Sequence, residues 1–214
     1  MNSPSEKNNT WLYIIAAGIA LVSAAAGASL WQMMQERSQA QTAALLVLPE
    51  SRVIDDFELT GMDGEPFTLD DLRDKWTLVF FGFTHCPDIC PSTLYDLQQV
   101  SEDLDTTTDG GPSHQVLFVS VDPERDNPER MREYLAYFSP DFVGATGPDE
   151  DLWPLTRQLG IAYRIEEHEP GAAIYNVDHS ASVLLIEPGG RLYGVFTAPL
   201  DAAAISADMS ALLN

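Results

Sequence analysis

Two cysteines are the residues of this chain whose type and spacing first suggest chemistry. Cys86 and Cys90 are the only cysteines among 214 residues, and the segment 86–91 reads Cys-Pro-Asp-Ile-Cys-Pro, so each is followed by proline. Thiolate sulfur is a soft ligand that selects Cu(I) or Zn(II) over hard cations. A thiol pair of this kind therefore points to a metal site or to redox chemistry.

Several interpretations of the pair are open from its spacing. Three residues separate the thiols, whereas redox enzymes of the C-x-x-C type have two. A structural disulfide across so short a loop would stabilise the fold only slightly, because that contribution grows with loop length. Structural zinc needs four protein ligands, and a fourth is not evident in the sequence. Cu(I) accepts two sulfurs and one nitrogen, and Cu(II) is the alternative if water or a carboxylate fills further positions.

The third ligand would come from one of four histidines. His114 and His168 lie in polar loops, where surface positions are expected. His85 adjoins Cys86, but in an extended chain neighbouring side chains project to opposite sides. His179 lies just before an apolar late strand and would join the thiols if the fold brings that strand beside them. Its neighbour Asp178 is the predicted hydrogen-bond partner that orients the imidazole, as metal-bound histidines usually have one.

The elements around the thiols determine their local geometry. The apolar run 77–83 predicts a buried strand, and the stripe over 92–100 predicts a helix, with the thiol loop between them. Proline disfavours helical geometry in the residue before it, so Cys86 and Cys90 are both expected to be non-helical. Cys90 would then cap the helix N-terminus, which lowers the pKa of a thiol. Asp88 lies between the thiols, and its negative charge raises the pKa of a thiol by repulsion. The sequence does not decide whether the effect of Asp88 or that of the helix end is larger.

The order of the remaining elements predicts an α/β fold. A β-hairpin over 56–68 precedes the central strand, and further strands and helices alternate after the thiol loop. The strands near 182–196 are followed by a C-terminal amphipathic helix over 200–213. This order resembles the thioredoxin-like fold, a central β-sheet flanked by helices. In that fold the loop before the late strand lies beside the thiol loop.

The N-terminal part predicts a membrane anchor. Residues 11–31 are uncharged and almost wholly apolar, with aromatic residues at both ends, and twenty helical residues span about 30 Å, the thickness of a bilayer core. A cleaved signal peptide is the alternative, since 26–28 reads Ala-Gly-Ala. The predicted layout is a cytoplasmic segment 1–10, the anchor, a tether 32–50 and a domain 51–214. A bacterial inner membrane with the domain in the periplasm is the expected location.

The charge of the chain excludes one class of partner. Thirty-three acidic residues against eleven basic ones give a net charge of −22. Such a surface repels nucleic-acid phosphates, so no nucleic-acid binding is expected. A solvated surface suited to a saline habitat is the preferred interpretation of this charge, and attraction of cations or of a basic partner protein is the alternative.

Three segments together resemble the SCO/SenC family: the thiol loop within 81–91, the Ser-Val-Asp-Pro-Glu-Arg-Asp run at 120–126, and Val-Asp-His-Ser at 177–180. The resemblance covers nearly the whole soluble domain. It implies a thioredoxin-like copper protein that assists assembly of the dinuclear copper (CuA) centre of cytochrome c oxidase. The family's metal ligands would be Cys86, Cys90 and His179. Implied partners are the oxidase's copper-binding subunit, a copper donor protein and a thiol reductant.

Two functions of different class follow from these observations. The first is a copper metallochaperone, a binding and transfer protein that needs both cysteines and His179. The second is a membrane-anchored thiol–disulfide reductase, in which Cys86 and Cys90 form a redox-active disulfide and His179 is dispensable. The two functions are compatible with each other, because a dithiol that binds copper can also be oxidised to a disulfide.

Overall fold

The computed structural model describes residues 44–107 and 113–213, with Gly18, Ser23 and Gly27 as isolated positions. Its strands are β1 Leu45–Val53, β2 Glu58–Gly61, β3 Pro66–Thr68, β4 Lys75–Gly82, β5 Ser113–Ser120, β6 Val143–Thr146, β7 Tyr163–Ile165, β8 Val177–His179, β9 Val183–Glu187 and β10 Arg191–Phe196. Its helices are α1 Ile89–Thr107, α2 Pro128–Leu135, α3 Asp149–Leu159 and α4 Ala202–Leu213, with a 3-10 turn at Leu69–Leu72.

A mixed eight-stranded sheet forms the centre of the domain, in the order β1-β10-β9-β4-β5-β6-β2-β3. Strands β4, β5 and β6 run parallel, and the outer pairs are antiparallel. Helices α1 and α4 pack on each other, α2 packs on β6 and α3 on β2. The predicted α/β architecture, including its N-terminal β2–β3 hairpin, is confirmed.

Strand β4 is central because its sequence is apolar on both faces. From Trp76 to Gly82 every residue is buried, as expected for a strand covered on both sides. Parallel pairing places the carboxyl ends of β4 and β5 at the same edge of the sheet, where ligand sites of open α/β sheets form. The thiol loop follows one of these ends, and the segment 121–126 follows the other.

The folded part begins earlier than the sequence predicts. Residues 45–50, assigned to a tether, belong to β1, which pairs with β10 at the edge of the sheet. Only Leu45 of this strand is buried, so the segment lacks the apolar alternation of a typical strand. It forms a strand because it pairs with β10, some 140 residues later in the chain.

The predicted N-terminal segment and anchor, 1–31, lie outside the described residues apart from the isolated positions Gly18, Ser23 and Gly27, and so does most of the tether. In the portion of the chain that the structure describes, no helix combines the length and the apolar character that a membrane span requires.

Candidate metal centre

The thiol loop joins the end of β4 to the start of α1, and its two cysteines have different backbone geometry. Cys86 lies outside regular structure, as predicted, whereas Cys90 lies in the first turn of α1. The prediction that Cys90 is non-helical is therefore wrong. The helix begins at Ile89, and Pro91 is its third residue. The N–H that proline lacks at this position is one of the four that have no partner within a helix, so the helix tolerates it.

Cys90, and not Cys86, is the buried thiol. Its side chain has no exposed surface, and it belongs to the hydrophobic core. Burial raises the pKa of the Cys90 thiol strongly, and the neighbouring Cys86 and Asp126 raise it further. The sequence leaves the net direction of this pKa shift open, and burial decides it, because removing a thiolate from water costs more than the helix end returns. Asp88 is exposed, and Asp126 is the carboxylate that acts on this thiol.

The sulfur at the helix N-terminus is that of Cys86. The backbone N–H of Cys90 donates to Cys86 Sγ over 3.4 Å. Cys86 is half-buried and lies between the core and solvent. One sulfur is thus enclosed, and the other is accessible from outside.

Gly82, the last residue of β4, leaves the space that Cys90 occupies. A Cβ atom at this position would lie 2.8 Å from Cys90 Sγ and 3.0 Å from a ring carbon of Phe118. We expect Gly82→Ala to lower the free energy of unfolding by about 1–3 kcal/mol, the usual cost of overpacking a core. Urea unfolding of the reduced protein measures this. Gly189→Ala, on an exposed turn whose nearest atom is 3.7 Å away, is the matched control, and equal losses in both variants would contradict the prediction.

The structure brings His179 to the two thiols. Its Nε2 lies 3.3 Å from Cys90 Sγ, and the ligand atoms of Cys86, Cys90 and His179 all lie within 4.8 Å of one another. Nothing in local sequence joins these residues, since 89 positions separate Cys90 from His179. They meet because β9, which follows His179, pairs with β4.

The imidazole of His179 is held in one orientation. The rings of Phe80 and Phe83 pack against it at centroid distances of 5.8 and 5.7 Å. Its Nδ1 lies 3.1 Å from the carbonyl oxygen of Ser180. A carbonyl only accepts, so Nδ1 carries the proton and Nε2 presents its lone pair to the sulfur. Burial lowers the pKa of His179, which keeps the ring in the neutral form that binds metals.

Asp178 does not have its predicted role. Its carboxylate pairs with Arg164 Nη2 at 3.0 Å, and both side chains are largely exposed. Strand alternation turns adjacent side chains to opposite sides, so Asp178 faces away from the ring that it was expected to orient. The carbonyl of Ser180 provides the hydrogen bond instead.

The other three histidines lie outside the cluster. His85 Nδ1 is 3.2 Å from Thr84 Oγ1. His114, predicted to be a surface residue, has only 8% of its side chain exposed and contacts Ser101 Oγ at 2.9 Å. His168, also expected at the surface, stacks on Tyr175 with ring centroids 3.6 Å apart.

The accessible side of the cluster opens into a cleft of about 1220 Å³. Cys86 and His179 line it together with the β7–β8 hairpin and the loop that joins its strands. Ile89 and Ile174 present apolar surface there, with 39% and 92% of each residue exposed. The arrangement can therefore hold a soft metal ion between the thiols and the imidazole and leave one side free for an incoming ligand.

Comparison with known proteins places the chain in a family. The family model described as SCO1/SenC matches residues 47–214, which is nearly the whole described domain. The chain belongs to the SCO1/SenC family.

Two relatives show how far the SCO1/SenC likeness extends. A "Putative copper-binding protein" of Stutzerimonas stutzeri is 35% identical over 167 residues, covering 78% of this chain and 80% of that protein. The human "Protein SCO1 homolog, mitochondrial" is 40% identical over 144 residues, covering 65% of this chain but 46% of the human protein.

Solved structures in the same family match the fold. Arabidopsis thaliana ScoI with copper bound is 32% identical, with a TM-score of 0.67, covering 74% of this chain and 96% of that one. Yeast Sco1 with copper bound is 29% identical, with a TM-score of 0.68, covering 74% of this chain and 86% of the yeast chain.

One feature of this SCO1/SenC chain that the sequence analysis missed is the anchor of the thiol loop. The buried carboxylate of Asp126 accepts hydrogen bonds from Thr84 N–H at 2.7 Å, Thr84 Oγ1 at 2.6 Å and Ser120 Oγ at 2.6 Å. These bonds join the loop after β4 to the loop after β5. Asp126 ends the 120–126 motif, so the sequence marks this residue, but the local pattern does not indicate that it accepts hydrogen bonds from the thiol loop.

Proposed function

We propose that this protein binds copper through Cys86, Cys90 and His179 and passes it to another protein. The observation that carries the proposal is the convergence of two sulfurs and one imidazole nitrogen within 4.8 Å, one sulfur enclosed and the other at the mouth of a cleft. Cu(I) accepts this ligand set, and soft sulfur ligands favour it. Copper-bound relatives from Arabidopsis and yeast support the choice of metal.

The recipient in this proposal is the copper-binding subunit of cytochrome c oxidase, whose CuA centre the protein helps to assemble. A copper donor protein and a thiol reductant act before the transfer. The half-exposed Cys86 supports transfer, because a ligand of the recipient reaches the metal from the cleft before the buried Cys90 releases it. The proposed setting is the periplasmic face of a bacterial inner membrane, with 11–31 as the anchor.

Metal analysis with X-ray absorption of the reduced protein tests this function. We expect about one copper per chain, with two sulfur neighbours and one nitrogen neighbour. The alternative function, reduction of the oxidase subunit's cysteines, requires Cys86 and Cys90 but not His179. A His179→Ala protein that keeps full disulfide-exchange activity and binds copper as tightly as the native chain would favour the reductase and reject the chaperone.

Proton release on metal binding follows from the environment of Cys90. Burial raises the pKa of its thiol, so the metal-free protein holds this proton at neutral pH, and copper must displace it to bind sulfur. We expect Cu(I) binding to release at least one proton per chain and the affinity to rise about tenfold per pH unit for each proton released.

Calorimetric titration with Cu(I) in two buffers of different ionisation enthalpy gives the number of protons released, because the measured heat differs between the buffers in proportion to that number. The double variant C86A/C90A is the control and should release none. Tight binding without proton release would contradict the prediction.

A further inference from the structure

The hairpin that carries His179 has few attachments of its own to the central sheet. Among the strands that the structure describes, β8 pairs with β7 alone, as a separate two-stranded sheet. Residue 179 is tied on its C-terminal side to β9, which begins four residues later and belongs to the main sheet. On its N-terminal side, Val177 packs into the hydrophobic core, and Tyr175, four residues before His179, attaches the chain to the segment after β5.

Tyr175 is enclosed between a cation and an imidazole. The guanidinium carbon of Arg125 lies 3.6 Å from the centroid of its ring. The ring of His168 stacks on it with a centroid distance of 3.6 Å and an interplanar angle of 8°. Two groups this close to one ring centroid must occupy opposite faces. We call this three-layer stack of Arg125, Tyr175 and His168 the Tyr175 clamp.

Hydrogen bonds fix the clamp to the loop after β5. The Tyr175 hydroxyl donates to Asp122 Oδ1 at 2.5 Å, and Arg125 Nε donates to the other oxygen of the same carboxylate at 2.5 Å. Arg125 Nη1 donates to the carbonyl oxygen of Tyr175 at 3.2 Å. His168 Nε2 lies 3.0 Å from Glu124 Oε2. Both outer layers are therefore held from the segment 122–125, which does not belong to the hairpin.

The burial of the clamp shows that it is part of the packed domain. Asp122 is fully buried, 10% of the Arg125 side chain is exposed, and Tyr175 is 8% exposed. Its neighbour Ile174 is 92% exposed. In the loop 166–176, Tyr175 is thus the buried side chain, and His168 and Ala172 are half-buried.

The clamp also contacts the surroundings of the metal ligand. Arg125 lies 5.5 Å from the ring centroid of Phe83, and Phe83 packs edge-on against the His179 imidazole at 5.7 Å. One guanidinium thus contacts both the anchor of the hairpin and an aromatic wall of the metal site.

We propose that Tyr175, held between Arg125 and His168, is a positioning residue that keeps the His179 imidazole beside Cys90. The proposal rests on the proposed copper function, because it assigns a residue that sets the geometry of one ligand. Without the clamp, the hairpin retains its β7 pairing but loses its attachment to the loop after β5. His179 then samples positions away from the sulfurs, and copper binding must bring its imidazole back to them, which lowers the affinity for copper.

The test uses Tyr175→Leu, which removes the stack and the hydroxyl, with Tyr137→Leu as the matched control, since Tyr137 is 84% exposed. In the reduced, metal-free protein we expect amide hydrogen exchange at 177–179 to rise at least about tenfold, with exchange in β4 unchanged. In the copper-loaded protein we expect affinity to fall about 10- to 100-fold, the range for residues that orient a metal ligand. The Tyr137 variant should match the native protein in both measurements.

Unchanged exchange at 177–179 in folded Tyr175→Leu would overturn the proposal, as would faster exchange with unchanged copper affinity. If Tyr175→Leu does not fold, His168→Ala removes one face of the stack from the solvent side and should shift both measurements in the same direction. A native protein that binds no copper would reject the proposed function, whereas the exchange measurement would still report whether Tyr175 restrains the hairpin.

Discussion

Replacing His179 with alanine is expected to lower the Cu(I) affinity of the reduced protein by about 100- to 1000-fold. Zinc sites with four ligands bind with about 10–16 kcal/mol, which is about 2.5–4 kcal/mol per ligand, and each 1.4 kcal/mol is tenfold in affinity. The loss is not offset by a neighbouring side chain, because His85 contacts Thr84 and the carboxylate of Asp178 pairs with Arg164.

Substitution of the cysteines should have a larger effect than substitution of His179. Cys86→Ala and Cys90→Ala each remove an anionic ligand, and Cys90→Ala also leaves a cavity in the core, where the side chain has no exposed surface. Competition with a Cu(I) chelator measures the affinities, and unfolding curves separate loss of ligand from loss of fold.

His114→Ala is the matched control for these ligand variants. This histidine is also mostly buried, but its ring contacts Ser101 and lies outside the cluster. We expect the Cu(I) affinity of the His114→Ala protein to equal that of the native protein. Equal affinities in His179→Ala and His114→Ala would show that the imidazole of residue 179 does not bind the metal.

The sequence predicts those parts of the site that depend on short-range pattern. The apolar run of β4, the proline-flanked thiol loop and the stripe of α1 are continuous signals. The cap of α2 is local in the same way, because Asn127 accepts the hydrogen bond of Arg130 N–H, with Pro128 as the first helical residue. The conjunction of the thiol loop with the Asp-His-Ser segment near position 179 was predicted by analogy with a known fold.

The features that the sequence did not reveal depend on contacts between distant segments. Strand β8 has three residues and exists because it pairs with β7, more than ten positions earlier. The direction of the pKa shift of Cys90 depends on burial, whereas the local pattern shows only its place near a helix end. The clamp around Tyr175 joins three segments, and His168 appeared in isolation to be a solvated residue of an acidic loop.

Asp126→Ala is expected to lower the free energy of unfolding by about 3 kcal/mol or more. Three donors lose their acceptor, and each buried donor left without a partner costs about 1–3 kcal/mol. The hydroxyls of Thr84 and Ser120 can rotate toward other acceptors, but the backbone N–H of Thr84 cannot. With typical domain stabilities of about 5–15 kcal/mol, this is a large fraction of the total.

The same substitution should weaken copper binding, because Thr84 lies two residues before Cys86 and its bonds to Asp126 fix the start of the thiol loop. Asp126→Asn keeps one acceptor oxygen at the same place and should recover part of the stability, whereas Asp141→Ala, on an exposed turn, should have little effect. Urea unfolding and Cu(I) competition on the three variants measure both quantities. If Asp126→Ala lowers stability but leaves the affinity at the native value, the carboxylate stabilises the fold without positioning Cys86. If it leaves both unchanged, the hydrogen bonds around it contribute nothing that water does not replace.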